Sequence, residues 1–417
     1  MSFAEHYIRK HCIFPNEITE PPQEGLNITI IIPCFNEPSL INTLESLWNC
    51  YRPACPVEVI IVINSGESAQ ESIIRRNNET EAEAYQWIIK HNHSDFRFYI
   101  IVKRELPGKH AGVGLARKIG MDEAIYRFNS VNNPGGILVS FDADSLCDKN
   151  FIREIEHQFK MFPRTNACSV YFEHPLEGTE YSAEVYEAIA WYELYLRYYQ
   201  AALKYSGFPY SYHTIGSCFA VKASVYAKQG GMNRRQAGED FYFLQKIIPL
   251  GDFFEINTTR VIPSPRPSLR APFGTGASIQ KYLNNNSGEP EIYNLQAFKD
   301  MKLFFEMIPL FFRKPGKEIL SEFSTLANPL VGYLEKYSVI EKIKEIDDNS
   351  SNPERYTKRF YQYFNAFRIL KFLNFAHESG YKRMPLSKAV IDLLETNGVT
   401  YSDTDVKHLL ETFRKIF

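Results

Sequence analysis

The sequence has no run of residues long and apolar enough to cross a membrane; its most apolar candidate, residues 303–312, is interrupted by Glu306 and Pro309. Residues 1–22 mix Glu5, His6, Arg9 and Lys10 with scattered apolar side chains, so they lack the apolar core of a signal peptide. A cytoplasmic protein is expected. Excess charge of either sign is also missing, the net charge being −2 with 23% charged residues. That excludes an overall basic field for nucleic acid and an acidic surplus typical of disorder, so any anion binding must be local. The seven cysteines include no C-x-x-C pair. They read as reduced thiols, with Cys34 and Cys147 beside the strands that carry the motifs below. No Ser-His-Asp order is identifiable, and His110, His157, His174 and His213 are scattered, which suits structural positions better than metal ligation. Internal repeats and extended low-complexity tracts are absent.

What is present is a chain of 417 residues, enough for two or three domains, whose 44% hydrophobic content supports a sizeable core. Aromatic residues reach 14%, with 26 Tyr and 31 Phe. They are available to stack on sugars or bases, although burial in a core is the commoner use of such rings. From Leu26 onward strand and helix patterns alternate. Strands are expected over 27–32, 57–63, 96–102 and 137–141, and helices over 39–48, 67–91 and 117–128, then through Phe151, Ile155 and Phe159. Asn64-Ser65-Gly66 reads as a turn. The alternation predicts an α/β fold, with a mostly parallel central sheet flanked by helices in two Rossmann-like halves. A strand over 167–172, a long aromatic helix over 182–205, extended chain over 212–221, a helix over 240–248 and a strand over 254–261 follow. After the proline-rich stretch 263–267 the signals are helical, over 295–312, 319–337, 356–375, 387–397 and 403–417, with a loop or hinge at 347–353. Residues 1–25 are thus expected to be a leader segment, 26–288 the α/β domain and 289–417 a helical accessory region.

Four segments carry candidate chemistry. The apolar run 137–141 ends abruptly in Asp142-Ala143-Asp144-Ser145. Alternate residues of an extended chain face opposite ways, so both carboxylates can clamp an ion only where the strand breaks into a turn. The carboxyl edge of a parallel sheet is also where such sheets bind ligands. Hard carboxylate oxygens suit magnesium or manganese, which keep positions open for substrate phosphates. The same residues would equally serve as a solvated turn, with Ser145 and Asp148 as helix caps.

The segment Pro107-Gly108-Lys109-His110-Ala111-Gly112-Val113-Gly114 precedes a helix whose N-terminus can receive phosphate charge. It is not a Walker loop, because Lys109 is followed by His110, nor a dinucleotide fingerprint, because Arg117 stands where a third small residue belongs. Lys109 and Arg117 are candidates for phosphate or sugar contact, since basic residues entering a helix oppose its dipole unless an anion is present. The alternative is a flexible connection. Gly238-Glu239-Asp240 opens another helix, as an ordinary dipole complement or as a carboxylate aimed into a cleft to deprotonate a hydroxyl. Arg266 and Arg270 suit bidentate contact with a diphosphate; otherwise they are solvated surface charges.

In order and spacing these segments resemble family 2 of the nucleotide-sugar glycosyltransferases, which have the GT-A fold, over residues 28 to about 279. Ile30-Ile31-Ile32-Pro33-Cys34-Phe35-Asn36-Glu37 is similar to the opening strand and nucleotide-binding turn of that family, which implies nucleotide contact by Pro33, Phe35, Asn36 and Glu37. Asn64 stands where the family usually has an aspartate that meets the base. Lys109 and Arg117 fall in the segment that approaches the donor phosphate and sugar, Asp142-Ala143-Asp144 in the metal motif, and Gly216 with Ser217 in the acceptor-side strand. Gly238-Glu239-Asp240 resembles the motif whose aspartate is the catalytic base in inverting members.

The resemblance implies a transferase that moves a sugar from a nucleotide-diphosphate donor to a hydroxyl acceptor in a single displacement. Mn2+ or Mg2+ would be held by Asp144, with Asp142 nearer the ribose or the metal, and Asp240 would take the acceptor proton with Glu239 beside it. No nucleic-acid partner is expected. The donor sugar and base, the acceptor, a peripheral membrane contact and the oligomeric state are left open by the motifs. Two alternatives stand beside this reading: a nucleotidyltransferase of similar fold, which would not need Glu239-Asp240 beside an acceptor cleft, and a non-catalytic sugar-nucleotide binder whose helical part does the work.

Overall fold

The computed structural model describes residues 2–268, 274–284 and 288–416. Along the chain α1 (Glu5–His11) precedes β1 (Ile28–Cys34), α2 (Leu40–Trp48), β2 (Val57–Gly66), α3 (Glu71–His91), β3 (Phe96–Leu106), α4 (Val113–Ser130), β4 (Ile137–Ser140) and β5 (Leu146–Cys147). Next come α5 (Phe151–Met161), β6 (Ala167–Phe172), α6 (Ala183–Tyr205), β7 (Phe219–Lys222), α7 (Ala223–Lys228), α8 (Glu239–Ile247), β8 (Phe253–Ile262) and α9 (Thr275–Asn284). The remaining elements are β9 (Glu291–Ile292), α10 (Leu295–Met307), α11 (Gly316–Phe323), α12 (Asn328–Lys336), α13 (Val339–Asp348), α14 (Pro353–Tyr363), α15 (Ala366–Ser379), β10 (Met384–Pro385), α16 (Leu386–Thr396) and α17 (Val406–Ile416). Among the described residues no helix is long and apolar enough to cross a membrane.

The chain divides into two compact units, one of Met1–Gly178 with Thr214–Gln280, the other of Thr179–His213 with Lys281–Phe417. The helix α6 therefore belongs with the C-terminal helices, although it lies inside residues 26–288.

The first unit is built on an eight-stranded sheet in the order β3-β2-β1-β4-β7-β6-β8-β5. All strands but β7 and β5 run the same way, giving the expected mostly parallel sheet flanked by helices. β1 is buried along its whole length, as its near-continuous apolar sequence requires of a strand covered on both faces. It pairs from Ile28 with Val57 of β2 and Ile137 of β4. β4 ends its pairing at Ser140 opposite Ile31, so Pro33 lies past the end of that ladder, where its missing N–H forfeits no hydrogen bond. The Asn64-Ser65-Gly66 turn expected from the sequence is instead the end of β2, which runs on to Gly66 beside a register shift against β3.

α4 lies over β1 and β2, and its Arg127 donates to the buried Glu58 carboxylate on β2. Within the helix Lys118 pairs with Asp122 at 2.9 Å. The first residues dock on the same helix: the Tyr7 hydroxyl donates to Asp122 at 2.6 Å, and the Glu17 and Ile18 amides donate to Glu123 at 2.9 and 3.2 Å.

Among its described residues the second unit is helical apart from the short β9–β10 pair. Helix α6 buries residues on most of its circumference, and its Glu193 carboxylate receives Arg197 at 2.8 Å and two Arg414 N–H groups from α17 at 2.8 Å. Beside them burial and Arg197 push the His213 imidazole down to about 3, so it is neutral, as a structural histidine should be. Three of the expected helices are shorter. The span 319–337 breaks into α11 and α12, because Pro329 starts a helix more readily than it continues one. The span 356–375 breaks where the Asn365 side chain accepts from the Phe367 and Arg368 amides and caps α15. Finally, α10 ends at Met307 before a tight turn of helix containing Pro309.

Candidate active site

The carboxyl ends of β1, β2 and β4 open onto one edge of the sheet, and side chains from α3 set its shape. Asn36 adopts a left-handed backbone conformation (φ 50°), and its amide donates to Asn77 Oδ1 at 2.9 Å. Asn77 in turn donates to the Asn64 carbonyl at 2.9 Å, so one α3 side chain staples the ends of β1 and β2. Thr80 donates to the Glu37 carbonyl at 3.0 Å. Nothing in the sequence singled out Asn77 or Thr80, which sit in a helix that is polar along most of its length. The Asn64 side chain is buried, and its oxygen makes no hydrogen bond among the described residues.

Asp142 and Asp144 follow β4 on a turn closed by the Ser145 amide donating to the Asp142 carbonyl at 3.2 Å. Ala143 between them is buried, and its carbonyl accepts from Thr43 of α2 at 2.9 Å. The two carboxylates are thereby left partly exposed on the turn.

Arg117, on the second turn of α4, is only 2% exposed. Its guanidinium donates to Asp142 Oδ1 at 2.5 Å and to Glu239 Oε1, which lies at the start of α8 and is likewise 2% exposed. Asp240 completes the cluster. A methyl placed on Gly216 would lie 2.9 and 3.1 Å from the two terminal Arg117 nitrogens and 3.1 Å from Asp240 Oδ2, so the missing side chain is what admits both groups. Gly216 is fixed there by Ser140 Oγ, which donates to its carbonyl at 2.5 Å. Ser217, beside it, is buried with its hydroxyl 3.3 Å from the Cys218 sulfur.

The electrostatics of this cluster are unbalanced, because Glu239, Asp142 and Asp240 all act on one guanidinium. Burial disfavours the charged form of Arg117, but the three carboxylates outweigh it and keep the group ionised. Burial pushes Glu239 up to about 7 despite Arg117, with repulsion from Asp240 adding to the rise. Asp240 is raised as well, by burial first, with Arg117 pulling it back. A surplus of negative charge in a confined place invites a proton or a cation.

Arg266, in the segment after β8, donates to both Glu37 oxygens, one at 2.9 Å, and lies 3.5 Å from Asp144 Oδ2. Lys109 is exposed on the turn before α4. Pro33 is buried in β1 and Phe35 is half-buried just beyond it. Arg270 lies outside the described residues. The glycines before α4 have a role that the sequence did not disclose. A methyl on Gly112 would meet Gln236 Cα at 2.8 Å, and one on Gly114 would meet Glu239 Cβ at 2.9 Å, so these glycines let α4 approach the segment that presents Glu239 and Asp240. Arg117, read as a contact for phosphate or sugar, is engaged by carboxylates on two sides.

Among the described residues no three His, Cys, Asp or Glu side chains converge into a metal cage. Asp142 and Asp144 nevertheless fit a magnesium or manganese ion that arrives with a diphosphate, since such ions take one or two carboxylates and complete their shell with water and phosphate oxygens.

No protein-family model matches the chain, and no curated protein matches it. Among solved structures it is similar to S. aureus TarS 1-349 in complex with UDP-GlcNAc, at 11% identity over 90% of this chain and 93% of that one, with a TM-score of 0.41. It is similar also to the mannosyltransferase PcManGT from Pyrobaculum calidifontis in complex with GDP-Man and Mn2+, at 14% identity over 87% and 93% of the two chains and a TM-score of 0.35. A third such structure is GalNAc-T7 with UDP, GalNAc and Mn2+, at 13% identity over 75% of this chain and 55% of that one, with a TM-score of 0.38.

Proposed function

We propose that the chain is a metal-dependent, inverting glycosyltransferase of the GT-A type that moves a sugar from a nucleotide diphosphate to a hydroxyl acceptor. The observation that carries this reading is the cluster of Arg117, Asp142, Gly216 and Glu239-Asp240, which brings motifs from four separate stretches of sequence to one edge of the sheet.

Asp240 is the base in this scheme. It is partly exposed, whereas Glu239 is buried against Arg117 and has no free face for a substrate. A raised carboxyl pKa matches a group that must accept a hydroxyl proton and later release it. Arg117 is a positioning residue: it fixes Glu239, and through it the start of α8, while orienting Asp142. Asp144 and Asp142 would hold the metal, which when bound neutralises charge on the departing diphosphate. The unpaired Asn64 oxygen is suited to accept an N–H from the nucleotide base. Arg266 and Lys109 are the cations available to the diphosphate, Arg266 after exchanging its contact with Glu37. Supporting an inverting displacement, Glu239 and Asp142 are both paired with Arg117, which leaves Asp240 as the carboxylate of the cluster assigned to the acceptor.

The test is to incubate the chain with UDP-, GDP- and dTDP-sugars and manganese, first reading thermal shift and then product. A donor that raises the melting temperature and releases its nucleoside diphosphate supports the reading. Release of pyrophosphate would make the chain a nucleotidyltransferase instead. Asp144→Ala should lose the manganese-dependent part of the donor shift while keeping the melting temperature of the free protein, because this carboxylate is a ligand on a turn.

A further inference from the structure

Helix α2 supports the turn that carries the metal motif through one stripe of side chains. Thr43, Ser46 and Cys50, at spacings of one and two helical turns, all face residues 143–148. Ser46 Oγ accepts from the Cys147 amide at 2.9 Å. Cys50, just past the end of α2, places its sulfur 3.5 Å from the Ser46 carbonyl, 3.7 Å from the Asp148 carbonyl and 3.6 Å from the sulfur of Cys147. Two thiols 97 residues apart in sequence are thus in van der Waals contact. A disulfide needs sulfurs about 2.0 Å apart, so side-chain rotation has roughly 1.5 Å to close.

We propose that Cys50 and Cys147 are a dithiol modification site that closes reversibly into a disulfide, joining α2 to β5 directly after the Asp142-Ala143-Asp144 turn. The two thiols are chemically unlike. The hydrogen bond from Cys147, helped by Arg52, favours the thiolate of Cys50 against the cost of its burial, whereas burial holds Cys147 protonated. With hydrogen peroxide as oxidant, the Cys50 thiolate attacks one peroxide oxygen and the O–O bond breaks. A sulfenic acid forms on Cys50, and the leaving hydroxide takes up a proton to become water. The Cys147 sulfur then attacks the Cys50 sulfur, the S–O bond breaks, and the Cys147 proton leaves with the hydroxide as a second water. Both thiols are oxidised and the peroxide is reduced to water. A thiol reductant reverses the change by exchange through a mixed disulfide.

This inference is independent of sugar transfer and is tested without measuring it. The full chain is exposed to hydrogen peroxide, blocked with iodoacetamide and digested without reductant. A peptide pair containing Cys50 and Cys147 should appear, lighter by two hydrogens than the sum of its parts, with two fewer titratable thiols and a higher melting temperature. Dithiothreitol should restore all three readings. Cys147→Ala and Cys50→Ser should each abolish the cross-link and the gain in melting temperature, while Cys55→Ser should retain both. Alkylation of both thiols after peroxide treatment, oxidation of either to a sulfinic acid without a cross-link, or equal linkage of Cys50 to Cys55 would overturn the proposal.

Discussion

Arg117 is the side chain on which the candidate site turns, and its neighbours predict the result of removing it. Arg117→Met leaves Glu239 buried without its partner, a change that typically costs about 3–5 kcal/mol. Urea unfolding should show a loss of that size, and Arg117→Lys should recover only part of it, because an ammonium cannot span Asp142 and Glu239 as the planar fork does. The same cluster sets a pH dependence. The folded-state pKa of Glu239, about 7, lies above its ordinary 4.5, so between those values the native protein binds more protons than the unfolded chain. Stability contributed by this group is complete below pH 4.5 and falls as pH rises through about 7. The charged groups acting on it are Arg117 from α4, Asp142 from the turn after β4, and Asp240 beside it. Glu239→Gln should flatten that part of the profile in a series of unfolding curves; an unchanged slope would assign it to other groups. Local patterns singled out Asp142, Asp144, Glu239 and Asp240 as candidates, and the structure gathers Asp142, Glu239 and Asp240 around Arg117. The sequence concealed the pairing of Arg117 with a residue 122 positions away, because nothing in a helical pattern distinguishes a guanidinium that binds phosphate from one that clamps carboxylates.

The carboxylate turn does not stand alone but hangs from α2 by the Thr43 bond to the Ala143 carbonyl. Thr43→Val keeps the shape and removes the donor, so stability should fall by about 1 kcal/mol in chemical denaturation, the usual net worth of a buried hydrogen bond. Manganese-dependent donor affinity should fall with it, while an unchanged affinity would show that the turn holds its form without α2. Strands β1 to β3 and helices α2, α3 and α5 were legible because each is long enough to show its pattern, and β4, only 4 residues long, because its apolar run stops abruptly at Asp142. β5, only 2 residues long, escaped that reading, whereas the 4 residues of β7 fall largely within the extended chain expected over 212–221. The breaks at Pro329 and Asn365 carry cap signals that a continuous helical period masks.

For the whole molecule, the consequential feature is that α6 leaves the α/β unit in the middle of its sequence and joins the C-terminal helices. Its Tyr-rich surface, apolar on most sides, gave no single face from which to read its partners. Deleting residues 289–417 alone should therefore strand α6, which loses Arg414 from Glu193 and the Tyr293 carbonyl from the Tyr198 hydroxyl. Size-exclusion chromatography should find such a fragment aggregated, through the exposed apolar surface and the unpaired buried carboxylate. A monodisperse fragment would show that the boundary proposed at residue 288 is a genuine folding boundary.

Removal of the proton from a hydroxyl acceptor by Asp240 during sugar transfer is tested by comparing wild type with Asp240→Asn on one donor and one acceptor, reading rate and product anomer by NMR. The donor is the sugar nucleotide that gives the largest thermal shift, and the acceptor is taken from a panel of simple hydroxyl compounds. The expected result is an inverted anomeric centre in the wild-type product, unchanged donor binding in the variant, and transfer slowed by roughly two to four orders of magnitude, the usual contribution of a general base. A product that retains the donor's configuration, or an Asp240→Asn variant with near-normal turnover, would contradict it.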